Sequence, residues 1–201
     1  MSHYFTNENL KSNLRKMHVC ISDKHFDFYT DNGVFSKKGL DFGSRTLIDA
    51  LLKEKVSGDV LDLGCGYGAI GIILSSFFNI KVDLVDVNLR AIHLAKLNLK
   101  ENKINEKNIS IFSSDIYSNI EKKYDYIITN PPIRAGKDVV YKFLFEAKEH
   151  LTKDGILYYV INKEQGAKSS MKDLENIAKV EVLEKNKGFF VFKCKFDWQI
   201  V

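Results

Sequence analysis

The chain is poor in proline and in cysteine. Its only two prolines are adjacent, Pro131 and Pro132. Its three cysteines, Cys20, Cys65 and Cys194, are odd in number and far apart. Such spacing argues against a disulfide framework and a cysteine-based zinc site, and it fits a reducing compartment. No apolar run approaches the ~20 residues that span a bilayer. The N-terminal segment lacks the apolar stretch of a secretory leader. The sequence therefore reads as a soluble, cytoplasmic protein with no membrane partner. Nor is there a block of one charge: the net charge of +4 is split evenly between residues 1–57 and the remainder. A mildly basic chain of this kind permits a nucleic-acid partner without demanding one. Repeats and low-complexity linkers are missing too.

What is present suits one packed domain. Hydrophobic residues make up 45% of the 201 residues and aromatics 12%. From about residue 58 onward, short β-rich runs alternate with helical ones. The pattern predicts strands over 60–63, 82–85, 109–112, 124–129 and 155–161, and helices over 69–77, 89–102, 139–151 and 166–178. On the 89–102 helix the apolar stripe is Leu89, Ile92, Ala95 and Leu99. Two last strands over 180–183 and 189–196, joined by a turn at Asn186-Lys187-Gly188, are too close in sequence for a helical crossover, so they must pair antiparallel. The fold class expected is α/β and Rossmann-like: a mostly parallel seven-stranded sheet with an antiparallel last strand and helices on both faces. Ligands of such sheets bind beyond the carboxyl ends of the strands. Residues 1–57 read as an N-terminal extension, with short strands over 17–21 and 25–29 and a helix over 41–52 capped by Asp41 or Ser44. This extension is expected to pack on a ligand-binding domain spanning 58–201.

The first strand runs into Val60-Leu-Asp-Leu-Gly64-Cys-Gly66-Tyr-Gly68-Ala-Ile-Gly71. Glycines between a strand and a helix let the backbone approach a ligand closely. Alone, Gly66-Tyr-Gly68-Ala-Ile-Gly71 also fits the dinucleotide pattern. Asp62 separates the two readings. A carboxylate there would repel a pyrophosphate, whereas it suits a ligand with an ammonium group, such as the amino-acid end of S-adenosylmethionine. Asp86, ending the next strand, can accept both ribose hydroxyls. Asp115, in Ser113-Ser-Asp-Ile-Tyr117, can accept from an adenine amino group. Each acid by itself could be a mere loop cap; three at successive strand ends, beside the glycines, point to one ligand.

The two prolines follow Asn130 in Thr-Asn-Pro-Pro-Ile-Arg-Ala-Gly-Lys137. Proline fixes its own φ and restricts its predecessor. The turn is therefore stiff, and it presents the Asn130 side chain and the Pro131 carbonyl as acceptors. An exocyclic amine has two hydrogens for them. Drawing these off raises electron density on the nitrogen and aims its lone pair at a methyl donor. No metal and no strong base is needed. A plain strand-to-helix turn is the competing reading.

The ordered set resembles the class I methyltransferases over roughly residues 58–196. In that resemblance Asp62, Gly64, Gly66 and Gly68 match the first motif, Asp86 the ribose acid and Asp115 the adenine-side acid. It further implies cofactor contact at Cys65, Val87, Asn88, Ile116 and Asn130. Asn130, Pro131, Pro132 and Ile133 match the motif of enzymes acting on planar amino or amide nitrogens. Many relatives carry an aromatic residue where Ile133 stands, so base stacking would have to come from elsewhere. With Gly33-Val-Phe-Ser-Lys-Lys-Gly39-Leu-Asp-Phe-Gly43-Ser-Arg45, the chain looks like the small-domain branch of ribosomal RNA guanine methyltransferases, the 16S type above all. Larger members carry a second, degenerate domain for which this chain has no room.

The resemblance implies S-adenosylmethionine as cofactor, S-adenosylhomocysteine as product and no metal. Its implied partner is ribosomal RNA or the small ribosomal subunit; the oligomeric state stays open. A flipped base could meet Phe35 and Phe42, for which core packing is the rival reading. Lys37, Lys38, Arg45, Arg134 and Lys137 could hold phosphates. Other planar nitrogens remain alternatives: a tRNA or DNA adenine, or a protein glutamine. A nicotinamide-dependent oxidoreductase is disfavoured by Asp62 and the Asn-Pro-Pro turn. A non-catalytic RNA-binding module is disfavoured by the completeness of the motif set.

Overall fold

The computed structural model describes residues 11–34 and 39–198. A two-stranded antiparallel hairpin, β1 (Arg15–Ile21) and β2 (Lys24–Thr30), comes first, followed by helix α1 (Phe42–Leu51). Then come β3 (Gly58–Leu63), α2 (Ala69–Phe77), β4 (Ile80–Asp86), α3 (Leu89–Glu101), β5 (Ile109–Ser113) and β6 (Tyr124–Thr129). The remainder is α4 (Lys137–Phe145), α5 (Ala147–His150), β7 (Leu151–Asn162), α6 (Ala167–Leu174), β8 (Ala178–Asn186) and β9 (Phe189–Phe196). Strands β3 to β9 form one sheet in the order β5-β4-β3-β6-β7-β9-β8, in which β9 alone runs opposite to the other six. This is the α/β, mostly parallel sheet that the strand–helix alternation predicts.

The local reasons are simple. The last four residues of β3 are all buried, so a strand covered on both faces reads as a nearly continuous apolar run. On α2, every residue from Ala69 to Leu74 is buried, because the helix lies over the sheet centre. The β8–β9 turn has positive φ at Lys187 (45°) and Gly188 (84°), the geometry whose twist suits a two-residue hairpin loop.

Three expectations need correction. The single helix over 139–151 is two, α4 and α5, and β7 begins at Leu151, well before Gly155. Leu151 pairs with Tyr124, but the next pair is Tyr126 with Ile156, so the chain between bulges out of register. A bulge breaks the two-residue alternation from which a strand is read. Gly155 is required there, since a Cβ would lie 2.9 Å from both the Leu151 side chain and the Tyr124 carbonyl. Second, α6 stops at Leu174 and β8 starts at Ala178, inside the predicted helix. Third, Leu89 is 71% exposed, because it is the first residue of α3 and precedes the turn that meets the sheet.

Apolar packing and side-chain bonds, among them the Lys16–Glu101 ion pair at 2.6 Å, fasten the hairpin to the sheet domain. Val19, Ile21, Phe26 and Phe28 share an apolar cluster with Val60, Ile72 and Leu84. In addition, α3 reads the open edge of β2 with two amides. Asn98 accepts from the Tyr29 N–H at 2.6 Å and donates to the Tyr29 carbonyl at 2.9 Å. Asn102 treats Asp27 in the same way, at 2.9 and 2.7 Å. The spacing works because four residues of helix rise about 6 Å and two residues of strand about 6.7 Å.

Candidate active site

The carboxyl ends of the parallel strands carry the sequence-predicted residues. At the end of β3, Asp62 is 1% exposed. Its Oδ2 accepts from the Gly71 N–H at 2.8 Å, across the glycine loop. Its Oδ1 has no partner among the described residues. Burial pushes the carboxyl up to about 7, against the pull of the Gly71 bond and with help from the Asp86 charge. Buried carboxylate oxygens are normally satisfied, so Oδ1 fits a donor or cationic group of a ligand.

The loop itself is folded around Val85 and Asp86. The N–H groups of Gly64 and Cys65 both donate to the Val85 carbonyl at 2.9 Å. Asp86 Oδ2 accepts from Gly66 N–H at 2.9 Å and Oδ1 from Asn88 N–H at 2.8 Å. Each oxygen keeps a lone pair for a hydroxyl. Burial also raises the Asp86 carboxyl above its usual range. Gly66 sits at φ 56°, and a Cβ there would meet nothing within 4 Å, so its Cα faces open space. Gly68, in contrast, lies against Ala95, Ile72 and Leu84. Cys65 is buried, and its thiol is pushed well above the usual range, so it stays protonated. That is the behaviour of a small packing residue. Val87 adjoins Asp86, and Asn88 caps α3 while donating to the Gly33 carbonyl at 3.0 Å. Beyond β5, Asp115 is exposed and Ile116 takes φ 52°, its carbonyl held by the Ser114 hydroxyl at 2.8 Å.

Asn130 follows β6, the strand beside β3. Thr129, buried, ties the two strand ends by donating to the Leu63 carbonyl at 2.8 Å. Nδ2 of Asn130 donates to Asp41 Oδ1 at 3.1 Å and to Ser44 Oγ at 3.0 Å. The Pro132 carbonyl is spent on the Ala135 N–H at 2.9 Å. No donor among the described residues reaches the Pro131 carbonyl, the one that the sequence singled out. Ile133 begins a short 3-10 turn and lines a cleft of about 160 Å³ with Lys137, Tyr141, Ile161, Gln165 and Ser169.

The sheet order sorts the charges. The loops after β5, β4 and β3 bring Asp115, Asp86 and Asp62 to one side of Asn130. On the other side lie the ends of β7 and β9, where Lys163 donates its N–H to the Gly188 carbonyl at 2.7 Å, next to Lys187. Arg134, Lys137, Lys163 and Lys187 form no ion pair with a described residue; Lys137 lies over the Tyr141 ring and Lys187 over Phe42. Lys16, Lys53, Lys122 and Lys193 are paired with acids, whereas other surface lysines, Lys81, Lys96 and Lys179 among them, are not, so it is the position of these four cations beside the acceptor loop, Arg134, Lys137, Lys163 and Lys187, that distinguishes them.

Other candidates fall less simply. Phe42 opens α1 and packs on Phe189 with ring centres 5.8 Å apart. Arg45 is engaged within the fold, by Asp49 at 3.0 Å and the Cys20 carbonyl at 2.8 Å. Phe35, Lys37 and Lys38 lie outside the described residues. Sequence reasoning saw Asp41 and Ser44 only as helix caps and gave Phe189 no role at the site. No spacing rule links them to Asn130; the nearest signal was that Asp41-Phe-Gly-Ser44 sits in the segment resembling the guanine enzymes.

The sheet order and the two loops define the class I methyltransferase fold. The chain belongs to the methyltransferase small domain family, whose model matches residues 25–193. The uncharacterized protein YbxB of Bacillus subtilis (strain 168) is 43% identical over 198 residues, covering 96% of this chain and 98% of that one. Ribosomal RNA small subunit methyltransferase C of Haemophilus influenzae (strain 86-028NP) is 38% identical over 150 residues, covering 72% of this chain. The match takes in 44% of that relative, so this chain spans less than half its length. Among solved structures, a T. thermophilus 16S rRNA N2 methyltransferase (RsmC), in complex with AdoMet and guanosine, superposes with a TM-score of 0.78 at 24% identity, over 94% of this chain and 52% of that one. The ribosomal protein L11 methylase of Lactobacillus delbrueckii subsp. bulgaricus gives 0.68 at 17% identity, over 80% and 81%. At these identities the structural likeness shows the fold. Among the described residues no helix is long and apolar enough to cross a membrane, and no group of three or more His, Cys, Asp or Glu could hold a metal ion.

Proposed function

We propose that this protein transfers a methyl group from S-adenosylmethionine to the exocyclic N2 amine of a guanine in ribosomal RNA, of the 16S type. The observation that carries this reading is the sorting of charge about Asn130. Buried acids and glycines stand on the cofactor side, and unpaired cations on the side where an RNA would enter. The methyltransferase C relative, matched over part of its length, supports small-subunit ribosomal RNA as the acceptor.

When bound, S-adenosylmethionine would supply a sulfonium-borne methyl group open to attack by an amine nitrogen, the new N–C bond replacing the C–S bond, with the thioether as leaving group and a proton released to solvent. The chain's own residues do the rest. Asp62 and the glycine loop hold the ammonium end. Asp86 takes the ribose hydroxyls, with Val87 and Asn88 beside it. Asp115 and Ile116 border the adenine. Asn130 Oδ1 and the Pro131 carbonyl accept the two hydrogens of the guanine amine and hold its lone pair in line with the methyl. The stiff Pro131-Pro132 turn keeps those acceptors from relaxing. A base turned out of its helix meets Ile133 on one side. The Phe42 ring, backed by the tilted ring of Phe189, supplies the aromatic face that Ile133 lacks. Arg134, Lys137, Lys163 and Lys187 hold phosphates. In this reading residues 58–201 are the catalytic domain, and 1–57 an extension that buttresses the cofactor loop and the acceptor loop. The preferred partner is the small ribosomal subunit or its RNA.

The test is transfer of labelled methyl to unmodified ribosomal subunits, free ribosomal RNA and tRNA, followed by nucleoside digestion. Label in N2-methylguanosine from 16S RNA is the expected result. Label only in methyladenosine, or only in tRNA, would sink the guanine assignment. No label in any RNA, with cofactor bound, would move the acceptor to protein or a small molecule.

A further inference from the structure

We propose that Asp41 and Ser44 are positioning residues for the acceptor amine, acting through the side-chain amide of Asn130. The inference rests on the reading of Asn130 as the amine-binding acceptor. It goes beyond that reading by naming what sets the amide's direction.

A side-chain amide has two faces that differ only in chemistry: an oxygen that accepts and a nitrogen that donates. A turn can place Asn130 correctly and still leave it free to rotate by half a turn. Here it is not free. Asp41 Oδ1 lies 3.1 Å from Nδ2, and Ser44 Oγ lies 3.0 Å from the same nitrogen. A carboxylate only accepts, so the nitrogen must face it; a flipped amide would set oxygen against oxygen. Both Nδ2 hydrogens are thereby used within the fold. Oδ1 is turned the other way, and no described donor reaches it.

The two partners are themselves fixed. Asp41 caps α1, its Oδ1 also accepting the Ser44 N–H at 2.9 Å. Ser44 is 6% exposed, and a Cβ on Gly43 would come within 3.0 Å of the Phe189 ring, which leaves the helix start little room to shift. Donation toward a carboxylate oxygen and a hydroxyl together also polarises the amide, which makes its own oxygen a better acceptor.

The test exchanges donor and acceptor. Asn130→Asp alone sets two carboxylates together and removes the donor. Asp41→Asn keeps a good helix cap, since Asn caps as well as Asp, but removes the group that forbids a flip. The double variant restores one donor–acceptor pair with reversed roles and leaves an oxygen facing the substrate. With unmodified small ribosomal subunits as acceptor, Asn130→Asp should lower kcat at least ~1000-fold at neutral pH and recover as pH falls, because a protonated carboxyl can donate to Asp41. Asp41→Asn should lower kcat ~30-fold, and Ser44→Ala ~10-fold, with the cofactor dissociation constant unchanged in both. The double variant should exceed Asn130→Asp at least ~10-fold and lose its acid dependence. The Asn130 amide resonances, followed by NMR without any acceptor, should move in Ser44→Ala while melting temperature holds. A double variant no better than the product of the singles, or unmoved amide resonances, would overturn the positioning role. Full activity in Asn130→Ala would instead overturn the underlying reading of Asn130.

Discussion

The side-chain amide of Asn98, fully buried on α3, donates to the carbonyl of Tyr67 in the middle of the glycine loop at 2.9 Å. Its remaining groups hold Tyr29 of β2. One amide thus clamps the N-terminal hairpin, a sheet-covering helix and the cofactor loop together. Asn98→Ala leaves the Tyr29 and Tyr67 backbone groups unpartnered in a dry site. Urea unfolding should show a loss of about 3 kcal/mol. Cofactor titration of the surviving folded protein should show roughly tenfold weaker binding, because Tyr67 lies between Gly66 and Gly68. A loss of stability with unchanged affinity would confine Asn98 to the hairpin.

Asp62 makes cofactor binding and stability depend on pH. Its carboxyl is raised from 3.8 to about 7, chiefly by burial. For a raised carboxyl, the neutral form is the one that folding tolerates, so stability is fully present below pH 4 and is lost as pH rises through about 7. Asp62→Asn carries no such cost. Its melting temperature without ligand should therefore gain on that of the original chain between about pH 4 and pH 7 and hold that lead above. An ammonium beside Asp62 favours the ionised form, so cofactor affinity should rise through the same window, and Asp62→Asn should abolish the rise. A pH-independent affinity in the original chain would sever Asp62 from the ammonium.

Gly66 of the loop and Gly71 of the helix that follows it should fail in different ways. At Gly66 a Cβ meets nothing within 4 Å, although φ is 56°. Gly66→Ala should cost the fold about 1 kcal/mol but weaken cofactor binding at least ~10-fold, since the methyl occupies the ligand's approach. At Gly71 a Cβ would lie 2.9 Å from Leu84 and 3.0 Å from Asp62 Oδ2. Gly71→Ala should show a melting temperature lowered by several degrees, by about 2 kcal/mol of overpacking. Calorimetry paired with cofactor titration separates the two.

The unpaired cations beside Asn130 predict a salt effect. Replacing Lys163 or Lys187 by alanine should weaken RNA binding alike for all sequences. Each should lower the slope of log affinity against log salt by about 1. Cofactor affinity should be unchanged. An unaltered slope would place the RNA on another face.

The cysteines should divide by burial. Cys20 is exposed, while Cys65 and Cys194 are buried; burial pushes the Cys194 thiol to about 12 and Cys65 well above its usual range. A thiol reagent should modify one cysteine rapidly in the folded protein and the others only after denaturation. Rapid modification of Cys65 would mean that the glycine loop opens.

Much of this was legible in the chain itself. The glycine run, the acids at strand ends and the lone pair of prolines are local signals, because a strand-to-helix turn and its chemistry occupy a few consecutive residues. The alternation of strand and helix gave the parallel sheet, since handed crossovers leave few other arrangements. What local pattern cannot carry is contact between distant segments. The bulge at Gly155 hid the start of β7. The pattern that offered Arg45 to a phosphate gave no sign that Asp49 and the Cys20 carbonyl would hold two of its donors. Asn98 belongs to no motif, yet it joins Tyr29 of β2 to Tyr67 of the glycine loop. The sequence by itself determined the fold class and the places of the glycine loop and the Asn-Pro-Pro turn, through residue types whose backbone and side-chain chemistry act over a few positions. Only the tertiary structure decided which way Asn130 points, which acid is buried enough to hold a proton near neutrality, and which cations stand free. Those properties depend on distance, desolvation and partners, and they exist only once segments far apart in the chain are brought together.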